Sequence, residues 1–126
     1  MSFTNTFETT VLTWSFTTGS ATRPTEWHTA LYTVAPDDTG GGTEVSGGGY
    51  ARQETAFTVS GNTASNTSAE EWPVATAAYG TVVAVGIFDA SSGGNLLAYA
   101  NLTASKTIDT GDVFRIPAGD LDITLD

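Results

Sequence analysis

Thr81-Val82-Val83-Ala84-Val85-Gly86-Ile87-Phe88 is the most continuous apolar run in the chain. It is eight residues long, β-branched at most positions and bounded by Gly80 and by the turn residues Ser91 to Asn95. Such a run is too short for a buried helix, so it predicts a strand buried on both faces, the centre of a sheet. On either side, shorter stretches alternate. From Glu26 to Val34, Trp27, Thr29, Leu31 and Thr33 fall on one face, and His28, Ala30, Tyr32 and Val34 on the other. Tyr50 to Val59 alternates again, and Gly61-Asn62 supplies a turn. Glu70 to Val74 reads as a short strand at a sheet edge because of Pro73. Leu96 to Leu102, Lys106 to Ile108, Val113 to Ile116 and Leu121 to Leu125 complete the set. Many short strands with close turns predict an all-β domain, an antiparallel β-sandwich of jelly-roll-like kind.

Two segments break this pattern. In Ser2 to Phe16, Phe3, Phe7, Val11 and Trp14 recur at helical spacing, which predicts a short N-terminal helix capped by Ser2 or Thr4 and ended near Gly19. Its many threonines oppose that reading, since a β-branched side chain loses rotamer freedom in a helix. The second segment, residues 35–49, holds six glycines, two aspartates and a proline. That is the composition of an exposed loop, mobile at its tip. Composition does not change along the chain, so residues 1–126 read as a single β domain, with 1–20 as its helical arm.

The chain has 126 residues, 14 acidic and 4 basic, one histidine and no cysteine. A formal charge of −10 with Arg23, Arg52, Lys106 and Arg115 scattered excludes a phosphate-binding surface for nucleic acid. The same charge opposes an anionic membrane surface. No apolar run approaches the roughly 18 residues of a membrane span, and the start lacks the pattern of a signal peptide. Without cysteine there is no disulfide, thiol nucleophile or thiolate metal site, and one histidine is too few for zinc. No cofactor is expected.

His28 is the only imidazole a catalytic triad could use, and no G-x-S-x-G elbow accompanies it; a packed histidine is the simpler reading. Glu70 and Glu71 are adjacent on a strand and face opposite ways, so they cannot form a glycosidase pair. Asp37-Asp38, and Asp120 with Asp122 and Asp126, suit solvated turns better than a calcium site, for which the loop spacing is missing. Gly40 to Gly42 and Gly47 to Gly49 lack the Lys-Ser/Thr ending of a phosphate loop and instead supply positive φ. No catalytic, metal or cofactor residue is assigned. Asn66-Thr67-Ser68 and Asn101-Leu102-Thr103 match the glycosylation pattern but lack a secretory context. Of the aromatics, Trp14, Trp27, Trp72, Tyr50, Tyr79 and Tyr99 divide between core and an oligomer interface.

From Leu31 on, the sequence resembles a family of small virion proteins of tailed bacteriophages. The residues that carry the likeness are Leu31-Tyr32-Thr33-Val34-Ala35-Pro36 and, most specifically, Gly42-Thr43-Glu44-Val45-Ser46-Gly47-Gly48-Gly49-Tyr50-Ala51-Arg52-Gln53. Further pieces are Pro73 to Ala77, Gly80 to Val82, Gly86 to Ala90, Gly94 to Leu97 and Ile116 to Leu121; Ser2 to Glu8 is similar to the family start, although richer in threonine. The resemblance implies a structural virion part, commonly labelled a tail-fibre or minor structural protein, and no catalytic residue is carried over from it. Three functions follow. A capsid decoration (cement) protein on the outer face of the major capsid protein is the leading one. It suits a compact chain with neither shaft nor docking segment, and a charge that packaged DNA would repel. A tail-fibre or receptor-binding module that meets tail proteins or a host glycan is the alternative, and a small glycan hydrolase the least supported. A homo-oligomer is expected, a trimer on a shell of local three-fold symmetry; Phe3, Phe7, Val11 and Trp14 form either its interface or, equally, the inner face of a helix that only covers one end of the sandwich.

Overall fold

The computed structural model describes residues 1–125. Eleven strands and one helix follow in the order β1 (Ser2–Phe3), α1 (Asn5–Phe16), β2 (His28–Val34), β3 (Thr43–Glu44), β4 (Gln53–Glu54), β5 (Phe57–Ser60), β6 (Thr63–Asn66), β7 (Glu70–Glu71), β8 (Gly80–Phe88), β9 (Leu96–Ile108), β10 (Arg115–Ile116) and β11 (Asp122–Thr124). The main sheet has six strands in the order β1-β9-β8-β2-β3, with β4 also on β2, and every pairing is antiparallel. Two small sheets, β10-β7 and β11-β6-β5, complete an all-β domain.

The apolar run predicted as the central strand is β8, flanked by β2 and β9 and buried from Ala84 to Phe88. A register shift between Val82 and Ala84 lets Val82 and Val85 share a face although they are three residues apart. That face, with Leu31 and Ile108, packs against Trp72, Phe114, Ile116 and Leu121. Trp72 and Phe114 meet edge to face at 5.4 Å between ring centres, the arrangement the aromatic quadrupole favours. The opposite face is shallower: Ala30, Tyr32, Ala84 and Phe88. Gly86 lies under Tyr32, and a Cβ there would come within 2.9 Å of the Tyr32 ring and 2.7 Å of Leu96.

Several expectations are corrected. The helix begins at Asn5, because Ser2 and Phe3 form β1 against Tyr99 and Ala98. Phe3 is therefore a strand residue and not the first of a helical stripe. The strand at Glu26 starts only at His28. Tyr50 to Val59 divides into β4 and β5, which join different sheets. Thr63 to Asn66, too polar to register as a strand, is β6, the centre of the three-stranded sheet. Leu96 to Leu102 and Lys106 to Ile108 are one continuous strand of 13 residues.

The glycine-rich segment is an exposed loop with local structure of its own. Most of it is exposed, but Pro36 and Val45 are buried, Asp37 and Gly40 bridge each other, and β3 lies within it. All six of its glycines have positive φ. At Gly48 (φ 62°) a Cβ would stand 2.5 Å from the carbonyl oxygen of Ala77, so both the backbone angle and the space exclude a side chain. Asn66 is buried and structural: its amide donates to the carbonyls of Ser68 and Pro117 and its Oδ1 accepts from Leu121 N. Asn101 lies exposed on β9.

Candidate functional site: an apolar assembly surface

Thr4 anchors α1. Its backbone N–H donates to Leu97 O at 2.9 Å, its hydroxyl donates to Leu96 O at 2.7 Å, and the same oxygen caps the helix by accepting from Phe7 N at 3.4 Å. Asn5 N donates to Asp38 O, and the Tyr99 hydroxyl donates to the Asp38 carboxylate, which pushes that phenol up to about 12. Beyond this foot, the threonine hydroxyls turn back onto the chain's own carbonyls. The hydroxyls of Thr9, Thr10 and Thr17 donate back to the carbonyls of Asn5, Thr6 and Thr13.

None of the twelve residues of α1 is buried. Phe3 stacks edge-on against Phe7 at 4.8 Å, and Phe7 and Val11 are half-buried. Further out, Leu12 is 57% exposed, Trp14 72% and Phe16 81%. So of the four residues expected at an interface, Phe3, Phe7 and Val11 make the foot and inner side of the arm, and Trp14 projects. Leu12 and Phe16, outside the original stripe, project with it. Beside the foot lies a groove of about 560 Å³, walled by Phe3, Phe7, Trp27, Val59, Ile123 and Leu125 and floored by Ile87 and Ala98 of the main sheet. Among the described residues, its lining includes one charged residue, Arg23, and no carboxylate.

The residues that could do chemistry lie elsewhere and are not brought together. His28 is buried, both ring nitrogens lack hydrogen-bond partners among the described residues, and Glu26 Oε1 is 3.6 Å from Nε2. Glu70 is buried while Glu71 is exposed, the opposite facing expected of strand neighbours; burial pushes the Glu70 carboxyl up. Asp120 and Asp122 are exposed, and the Asp122 carboxylate accepts from Ser65; Asp126 lies outside the described residues.

Sequence reasoning overlooked one polar cluster. Arg52 donates from Nε to Glu44 Oε1 and from Nη2 to Oε2, each at 2.8 Å, a bidentate pair. Its Nη1 donates to the carbonyls of Ala90 and Gly93, and its guanidinium lies 3.6 Å from the centre of the Phe88 ring. Tyr50 donates to Glu44 Oε1 at 2.8 Å and accepts from Leu31 N at 3.0 Å, filling the gap in the β2 ladder between β3 and β4. Burial pushes the Glu44 carboxyl up, but the bonds from Arg52 and Tyr50 outweigh it and hold the group below its ordinary value. Burial, then the Glu44 charge, raises Tyr32 to about 12; burial likewise raises Tyr50. The signal was present in Glu44, Tyr50 and Arg52 of the most family-specific stretch. The three positive-φ glycines between them fold the chain back so that these side chains meet. The cluster ties the 89–94 turn to β3 and is structural in character.

No curated protein matches the chain. A family model described as podophage GP4 fiber I protein gp80 matches residues 2–124. With nearly the whole chain covered, this protein belongs to the podophage GP4 fiber I protein gp80 family.

Proposed function

We propose that the chain is a non-enzymatic structural subunit of a phage virion fibre, held in place through the apolar arm α1. The fibre reading is supported by the family. The observation that carries the assembly role is the arm itself: a helix with no buried residue and three large apolar side chains in solvent. Exposed apolar patches of this kind mark protein–protein contacts. A non-enzymatic role is supported by the single imidazole, which is buried beside Glu26 with no hydroxyl bonded to it.

The charge of −10 supports a position outside the DNA-filled head. It serves a decoration protein on the major capsid protein equally well, and the family tips the choice toward the fibre. In either position the chain acts as a homo-oligomer, a trimer being the form that matches three-fold sites on a particle. Quantitative mass spectrometry of purified particles tests this. Copies in the tens support a fibre, copies in the hundreds move the chain to the capsid surface, and absence from particles refutes both.

A further inference from the structure

One chain carries an exposed apolar projection and, beside its foot, an open apolar groove. The outer half of α1, Val11 to Phe16, contains no charged residue. Among the described residues, the groove beside its foot contains no carboxylate. This is unusual on a chain of charge −10, whose copies repel one another over most of their surface. Two copies can approach where carboxylates are absent from both sides, and the arm and the groove are such a pair. A basic partner would be drawn to the carboxylates instead, and neither surface offers one among the described residues. The groove's volume of about 560 Å³ is of the size that takes up a few large apolar groups, which is what Leu12, Trp14 and Phe16 present.

We propose that the outer half of α1 from one copy seats in the groove of a neighbouring copy, between Phe3 and Phe7 on one side and Val59, Ile123 and Leu125 on the other. This rests on the reading of the chain as an assembly subunit and names the partner of that surface. Phe7 belongs both to the groove and to the helix, so donor and acceptor surfaces adjoin. Adjoining surfaces permit reciprocal exchange about a two-fold axis or cyclic exchange about a three-fold axis, and both close without forming open filaments.

The protein has no cysteine, so single cysteines can be introduced cleanly. Ser15→Cys and Val59→Cys chains are made separately, mixed and oxidised, and the mass of the unmodified protein is read by light scattering. Exchange predicts a mass that is a multiple of the 13.0 kDa chain, with a disulfide-linked dimer in the mixture and little in either variant alone. Trp14→Ser with Phe16→Ser should reduce the mass to one chain while the melting temperature is kept; Val59→Asp, on the groove side, should do the same and serves if the first variant misfolds. A single-chain mass at every concentration overturns the proposal, as does linkage confined to Ser15→Cys alone, which would mean that arms pack on arms. The virion role fails separately, on absence of the protein from purified particles, whatever the pure protein's mass.

Discussion

At the Gly80–Val85 end of β8, the main sheet meets Trp72, Phe114 and Ile116, and Trp72 is 1% exposed. At the Ile87–Phe88 end, Ile87 and Ala98 floor an open groove, and the neighbouring arm holds Trp14 at 72% exposed. Both ends are built from aromatic and branched residues on the same sheet. The difference lies in what the chain supplies to cover them. At the first end, the 70–79 and 109–116 segments return and hydrogen-bond to each other, Trp72 N to Phe114 O and Ala75 N to Asp112 O. At the second, the small β11-β6-β5 sheet stops short and α1 lies alongside without closing. On the reading proposed above, the closed end gives stability, and the open end, where Val59, Leu125 and Trp14 stand exposed, gives assembly.

Substitutions should separate the two. Trp72→Ala should have the largest effect, a loss of about 3–5 kcal/mol in chemical denaturation, with self-association unchanged in the fraction that folds. Arg52→Ala should follow at about 3 kcal/mol, because it leaves the half-buried Glu44 carboxylate without its bidentate partner and frees the 89–94 turn. Thr4→Ala should cost about 1 kcal/mol through the lost cap, and should weaken association too, since Thr4 fixes the foot of the arm. Trp14→Ser should have the smallest effect on stability, near zero, and the largest on oligomer mass. If Trp14→Ser instead lowered the melting temperature as Trp72→Ala does, the two ends would not differ in kind.

Acid should act on the closed and latched parts of the fold. Glu44 and Asp89 have carboxyls held below their ordinary value. At Asp89, too, burial pushes up and the bonds from Asn95 more than offset it. A group depressed on folding stabilises above its unfolded pKa, and that contribution is lost as pH falls through the folded value. Glu70, raised by burial, works the other way: its contribution is complete at low pH and is lost as pH rises. The melting temperature should therefore fall below the ordinary carboxylate range, near pH 4. Glu44→Gln should flatten that fall, and Glu70→Gln should raise stability at pH 7.

The same contrast explains what could be read from the sequence. The run at 81–88 gave the central strand because it is buried on both faces, and periodicity reports burial. The four residues Thr63 to Asn66 escaped because a strand covered by two neighbours in a small exposed sheet needs no apolar pattern. Phe3, Phe7, Val11 and Trp14 were legible as an apolar stripe, but not that β9 would capture Ser2 and Phe3 as a strand, which is a long-range pairing. The six glycines announced a loop. Their positive φ values in fact serve a built turn that brings Glu44, Tyr50 and Arg52 together across the sheet. The groove was not legible at all, since it is formed by six segments distant in sequence.

Sedimentation equilibrium of the unmodified protein beside the Trp14→Ser, Phe16→Ser variant tests the open end most directly. The unmodified protein should sediment as a closed oligomer of the 13.0 kDa chain and the variant as a single chain, with equal melting temperatures. Equal masses for the two proteins would contradict it, and the arm would then be only a lid on its own sheet.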